Sequence, residues 1–316
     1  MTAPVNASAL PATASPSVLT SPLLAATLTV RSVDAAVRRY VDWLDFRLVE
    51  DGTLDAALAA AWQQPGTAGR RYAVLRCASG LASHLRLVEG EPVAGFLPLR
   101  SWGWAAIEVC VQDVLAVHAR LQGGPFEIIG PPNAIASLPV IHPMQVLGPD
   151  GEIVYLTEIN QGGPGSGLPS ARAPIDHLFI AVLGCADMNA SAQWYARQLG
   201  LVVAPPLTIV YRMLNRAYGF AADRQHRLCT GERDGHLFLE FDQYPDAAVA
   251  RPAAPLQAPP GLWCCSFGYP ALDAVPGPWL SPPTARGGAI YGGRRVGVLR
   301  APAGELVELV EVVAEA

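Results

Sequence analysis

Short runs in which apolar and polar residues alternate recur along the chain, the period expected of half-buried strands. The first is Leu24-Ala-Ala-Thr-Leu-Thr-Val30, which leads into a helical stretch carrying Tyr40 and Leu44. Asp176-His-Leu-Phe-Ile-Ala-Val182 repeats the pattern and leads into a stretch carrying Tyr195 and Leu199, with Asp187 placed as its N-cap. Two further strand-then-helix starts follow the same logic: Gly103 to Val114 before a helix over Leu115–Leu121, and Gly261 to Tyr269 before helical Leu272–Val275. Shorter alternating segments, Tyr72–Cys77, His84–Val88, Arg227–Thr230 and Leu237–Phe241, fill the space between. The pattern predicts an α+β chain built from βαβββ units, four times over.

These units group in two halves. Pro149-Asp-Gly-Glu-Ile-Val-Tyr-Leu156 and Pro302-Ala-Gly-Glu-Leu-Val-Glu-Leu309 share the pattern P-x-G-E-[IL]-V-x-L, a tight turn feeding a strand, 153 residues apart. The strand starts at Ala25 and His177 are separated by 152. One duplication accounts for both spacings and predicts two homologous domains, 23–160 and 174–313. The Gly/Pro/Ser-rich segment Gln161–Ser170 falls in the linker between them, 161–173, and residues 1–22 read as a disordered tail.

Composition then narrows the classes. With 316 residues, 51% of them hydrophobic, the chain is long enough for two domains with real cores. All 22 basic side chains are arginine, so lysine Schiff bases, a P-loop lysine and Ser/Lys dyads are excluded. The net charge of −5 and the lack of basic runs argue against nucleic acid. No apolar run approaches the roughly 20 residues of a membrane span, and the N-terminus lacks a basic signal-peptide region. The six cysteines form no C-x-x-C pair and read as reduced thiols of a cytoplasmic protein. A small-molecule substrate is the expected partner, without nucleic acid or membrane; homo-oligomerisation is left open.

The repeated unit, with strand starts of the form H-[LIV]-x-[LIVF]-x-V and strand ends of the form P-x-G-x-x-x-E-L, resembles the vicinal oxygen chelate superfamily from about residue 23 to 312. That superfamily includes glyoxalase I, type I extradiol dioxygenases and bleomycin resistance proteins. The resemblance implies two tandem domains, each a pair of βαβββ units curled into a cup, with metal ligands pointing inward from four strands. Carried onto the second half, those positions are His177, Glu240, Cys264 and Glu308. In the first half they read Ala25, Arg86, Ala106 and Tyr155, none a usual ligand for a hard or borderline divalent ion, so a single metal is expected in the second half.

A His/Glu/Glu set suits Mn²⁺, Fe²⁺, Mg²⁺ or Zn²⁺, and a Cys264 thiolate would favour Zn²⁺; as a small buried hydrophobe Cys264 has no such role. Such an ion would take two adjacent substrate oxygens and stabilise an enolate. Glu240 is the candidate base, and His236, on the same strand face, a candidate hydrogen-bonding partner of the substrate. Tyr291, Arg212 and Tyr211 fall near the second cup; His118 and His142 read as structural. In the first half Arg86, Glu108 and Tyr155 face the cup, either as a structural filling or as a site for an acidic ligand through Arg86. Three functions follow from the resemblance: a metal-dependent isomerase, epimerase or lyase; an extradiol-type Fe²⁺ dioxygenase, against which the missing fifth-strand histidine counts; and a metal-free small-molecule-binding protein.

Overall fold

The computed structural model describes residues 22–135, 139–163 and 166–312; the expected tail lies, but for Pro22, outside them. The first unit comprises β1 (Leu23–Val30), α1 (Val33–Leu44), β2 (Arg47–Thr53), α2 (Ala56–Ala61), β3 (Arg71–Arg76) and β4 (His84–Glu89). The second comprises β5 (Gly103–Val111), α3 (Val114–Leu121), β6 (Glu127–Gly130), β7 (Ile141–Leu147) and β8 (Ile153–Ile159). The third runs β9 (Ile175–Cys185), α4 (Met188–Leu199), β10 (Val202–Val203), β11 (Leu207–Val210), α5 (Arg212–Tyr218), β12 (Gln225–Arg233) and β13 (His236–Gln243). The fourth has β14 (Gly261–Tyr269), β15 (Ser281–Ala285), β16 (Arg295–Arg300) and β17 (Leu306–Glu311); the helix expected at Leu272–Val275 is a single 3-10 turn, Leu272–Ala274.

Side-chain caps open α1, α3 and α4, the expected Asp187 among them. Ser32 accepts from Ala35 N, Asp113 from Leu115 and Ala116 N, and Asp187 from Ala190 N. The two P-x-G-E turns need their glycines, because Gly151 and Gly304 sit at φ 84° and 88°. Each turn's glutamate binds the tyrosine of its own half's first helix: Tyr40 OH lies 3.5 Å from Glu152 Oε1, and Tyr195 OH donates to Glu305 Oε1 at 2.9 Å. Arg39 completes the first pair at 3.3 Å. The repeated Tyr and Glu thus tie each half together behind its sheets.

The strands make two large mixed sheets, and the units within them do not follow the two halves. One sheet has the order β15-β16-β17-β14-β1-β4-β3-β2 and joins the first unit to the fourth; the other, β10-β12-β13-β9-β5-β8-β7-β6 with β11 beside β12, joins the second to the third. In each, the two units meet through their first strands, antiparallel: β1 on β14, and β5 on β9. Each half of the chain therefore lends one unit to each cup. We call them the terminal cup (first and fourth units) and the central cup (second and third). The main core lies between the backs of the sheets, with Tyr40, Trp104, Tyr195 and Phe267 at its centre, and a smaller apolar cluster fills each cup.

Candidate functional site

This pairing decides which predicted residues meet. Cys264 and Glu308 belong to the terminal cup, whereas His177 and Glu240 stand on strands of the central one. The expected ligand set of the second half is therefore divided between two sheets. Likewise Arg86 faces the terminal cup, while Glu108 and Tyr155 face the central one, so the expected grouping of those three is divided too.

The strand registers give the true equivalences. In the terminal cup Thr27 pairs with Arg86 and Cys264, and Ser266 with Glu308. In the central cup Val182 pairs with Glu240 and Ala106, and Glu108 with Tyr155. Arg86 thus matches Glu240, Ser266 matches Glu108, and Glu308 matches Tyr155. Val182, not His177, holds the first-strand position. His177 lies at the buried start of the eleven-residue β9, its Nδ1 3.2 Å from Asp176 Oδ2, beside the loop carrying Ser79, which donates to Asp176. His236 opens β13 at the hairpin after Asp234 and Gly235.

At the floor of the terminal cup Arg86 and Glu308 form a fully buried ion pair, Nη2 to Oε2 at 2.9 Å. Ser266 donates to the same oxygen at 2.5 Å; Trp62 Nε1 and Tyr291 OH donate to Oε1 at 2.6 and 2.8 Å. Trp62 arrives from the end of α2, an insertion between β2 and β3 that closes the cup, and its ring lies 4.6 Å beneath the guanidinium carbon. Burial would push the Glu308 carboxyl up, but Arg86 and the three neutral donors outweigh it and hold it below the ordinary range. The pair likewise keeps Arg86 charged. Cys264, in the same wall, is pushed well up by burial and by Glu308, and behaves as an inert thiol.

Above this floor opens a cavity of about 400 Å³, walled by Leu54, Leu58, Val74 and Ile290 with Glu50, Tyr72, Arg86 and Arg286 among its polar groups. The cavity's carboxylates are already engaged: Glu50 accepts from Tyr72 OH and Ala289 N, each at 2.5 Å, and Asp55 caps α2 through Leu58 N at 2.7 Å. Burial and Glu50 raise Tyr72 to about 12. Arg286 is different, because its Nε is buried without a hydrogen-bond partner. Arg86 uses Nε on Thr27, Nη1 on Tyr291 and Nη2 on Glu308, three of the five N–H bonds of a guanidinium, leaving two.

The central cup has the opposite character. Glu108, Glu240 and Asp242 share its inner face with Tyr155, Tyr211 and Tyr244, and Tyr211, which precedes α5, bonds Tyr155. Burial raises Glu108 to about 8, with repulsion from Glu240 adding to it and Thr157, donating at 2.9 Å, opposing it. Burial, with Asp242 adding to it, holds Glu240 well above the usual carboxylate range, and burial with the charge of Glu108 raises Asp242 to about 7 against the hydrogen bonds of Tyr211 and Glu240.

A divalent ion does not fit the terminal cup. Glu308, its one carboxylate at a ligand position, has both oxygens committed to four donors, and the neighbouring position carries a guanidinium instead of a ligand. Among the described residues no group of three His, Cys, Asp or Glu is placed to hold a metal ion.

The sequence reading missed Thr27, Trp62, Ser266 and Asp242. Asp242 was within reach, two residues beyond Glu240 on the same strand face; nothing in an alanine-rich α2 marked Trp62.

No family model matches the chain, and no curated protein matches it. Solved structures do. Glyoxalase I from Zea mays aligns over 92% of this chain and 92% of its own, at 14% identity and a TM-score of 0.59. A glyoxylase/bleomycin resistance protein/dioxygenase domain from Frankia sp. EAN1pec aligns over 43% of this chain and 90% of its own, at 20% identity and a TM-score of 0.33. The chain has the vicinal oxygen chelate fold, with four units paired across its two halves into two cups. No helix of the described residues is long and apolar enough to cross a membrane.

Proposed function

We propose that this chain is a metal-independent binding protein whose terminal cup takes a small organic carboxylate. The observation that carries the reading is Arg86: a guanidinium fixed by Thr27, Tyr291 and Glu308 stands at a ligand position of the cup and supplies the positive charge there. Isomerase and dioxygenase chemistry on this fold needs open positions on a cation, and Glu308 has no free lone pair to offer one. The cavity of about 400 Å³ lies within the range of small-molecule sites, and most of its wall is apolar. Glu50 and Asp55 each accept hydrogen bonds from the chain, and the donors with capacity left are Arg286 Nε and two N–H bonds of Arg86. Both ask for an acceptor oxygen, and a planar carboxylate matches the guanidinium fork.

Calorimetric titration of the full chain in EDTA with benzoate and a series of short mono- and dicarboxylates tests this. Saturable binding of at least one probe, weakened at least tenfold in Arg286→Gln, is expected. Absence of binding across the series, or binding that needs added Mn²⁺ or Zn²⁺, overturns it.

A further inference from the structure

One wall of the terminal cavity is the chain between β15 and β16. Arg286 N donates to Arg294 O at 3.0 Å and Gly293 N to Arg286 O at 2.8 Å, so this segment leaves and rejoins the sheet through one narrow neck. Beyond the neck it holds its own shape. Gly292 N donates to Gly288 O at 2.8 Å, and Arg294 Nε and Nη2 donate to the carbonyls of Tyr291 and Ile290 at 2.7 and 2.5 Å. Ile290 and Tyr291 pack into the cup and are 3% and 4% exposed, whereas Gly287, Gly288, Ala289, Gly292 and Gly293 face solvent.

Polar contacts tie this strap across the cup at two points. Glu50, on the edge strand β2, accepts from Ala289 N at 2.5 Å, and Tyr291 OH bonds Arg86 and Glu308 on the floor. The strap therefore spans the mouth from the fourth unit to the first. Its glycines have different reasons. Gly288 sits at φ 92°, and a Cβ there would lie 3.1 Å from both Glu50 oxygens, so glycine lets that contact close. Gly287 has neither reason: its φ is not left-handed, and a Cβ there would meet nothing within 4 Å. The arrangement seen does not require glycine at 287. Freedom at that position serves a second arrangement, with Gly292 and Gly293, at φ 58° and 83°, at the other end of the strap.

We infer that residues 287–293 are a gate over the terminal cup, hinged at Gly287 and Gly292-Gly293 and latched by Glu50. Opening breaks the bond from Ala289 N to Glu50 and lifts Ile290 and Tyr291 off the cavity; closing restores both. Arg86 is 2% exposed and bonded to Tyr291, so the gate controls the approach to its guanidinium. What passes the gate rests on the carboxylate reading proposed above; the gate itself does not.

Ile290→Cys places a thiol on the inner face of the strap, and its reaction with neutral methyl methanethiosulfonate in the full chain reports opening. The six native cysteines are buried, so peptide mass spectrometry gives the rate at Cys264 as an internal reference. The introduced thiol should react at least tenfold faster than Cys264. Glu50→Ala, which removes the latch, should speed it at least tenfold more, and Gly287→Ala should slow it at least threefold. Circular dichroism confirms folding; if Glu50→Ala does not fold, Tyr291→Phe, which frees the strap from Arg86 and Glu308, takes its place with at least threefold acceleration expected. A thiol no more reactive than Cys264, or a rate unchanged by the latch variant or by the hinge variant, overturns the gate. Benzoate separates the two readings, because slower labelling in its presence is expected of both together. Labelling that responds to latch and hinge but not to benzoate leaves the gate standing and removes the carboxylate.

Discussion

The two cups share one backbone and solve one electrostatic problem in opposite ways. Each places carboxylates on strands that have left water, where an isolated charge is costly. The terminal cup answers with Arg86, stacked on Trp62 and bonded to Glu308, so its carboxylate stays ionised. The central cup holds three carboxylates and no guanidinium, so protons stand in for the missing cation. Fold alone therefore does not set the chemistry of a cup; the residue at the Arg86 or Glu240 position does.

The sharpest way to break the comparison is to strip the terminal cup of its cation. Arg86→Met leaves Glu308 buried and uncompensated and should cost about 3–5 kcal/mol in denaturant unfolding. Adding Glu308→Leu to it should recover most of that loss, because removing both charges is far less damaging than removing one. A single variant that unfolds like the wild type would contradict the ion pair's role.

Next comes pH. Carboxyls raised by folding bind protons that the unfolded chain releases, so they stabilise the chain at low pH and lose that contribution as pH climbs from about 4 toward about 8. The groups facing Glu108, Glu240 and Asp242 are Thr157, Cys110, Tyr155, Tyr211 and Tyr244, none of which supplies positive charge. Stability should fall between pH 5 and pH 9 by an amount on the order of 2 kcal/mol, and Glu108→Gln should flatten part of that fall. Glu308 acts with the opposite sign: its carboxyl is depressed, so its contribution is present at neutral pH and lost in acid as pH drops through its pKa.

Smaller effects sharpen the contrast. Trp62→Phe keeps a ring beneath Arg86 but removes the indole donor to Glu308, and should cost about 1–3 kcal/mol in thermal or denaturant unfolding. Tyr211→Phe, which removes one of two paired hydroxyls in the central cup, should cost about 1 kcal/mol.

Much of this was legible in the residues. The alternating strands, the P-x-G-E turns, the Asp187 cap and the four-unit organisation all follow from local pattern and stand as expected, except that the fourth unit's helix is only a 3-10 turn. Arg86, Glu240 and Glu308 were also rightly placed on inward faces, because an ionisable residue among alternating apolar ones is conspicuous. Which unit shares a sheet with which was not legible. The four units have similar first strands, and nothing local distinguishes a first strand that pairs within its half from one that pairs across it. That choice sends Glu308 to Arg86 and leaves Glu240 with Asp242. His177 misled for a related reason: β9 starts before its cup-facing portion, so the head of the strand is not the ligand position, which falls on Val182.

Arg86 stands where a metal would and leaves none to bind in the terminal cup. Titrating the chelator-stripped full chain with Mn²⁺ and Zn²⁺, with elemental analysis of the dialysed product, tests it directly. Less than stoichiometric metal is expected, with no change in Glu308→Gln. One tightly held ion per chain that disappears in Glu308→Gln would contradict it.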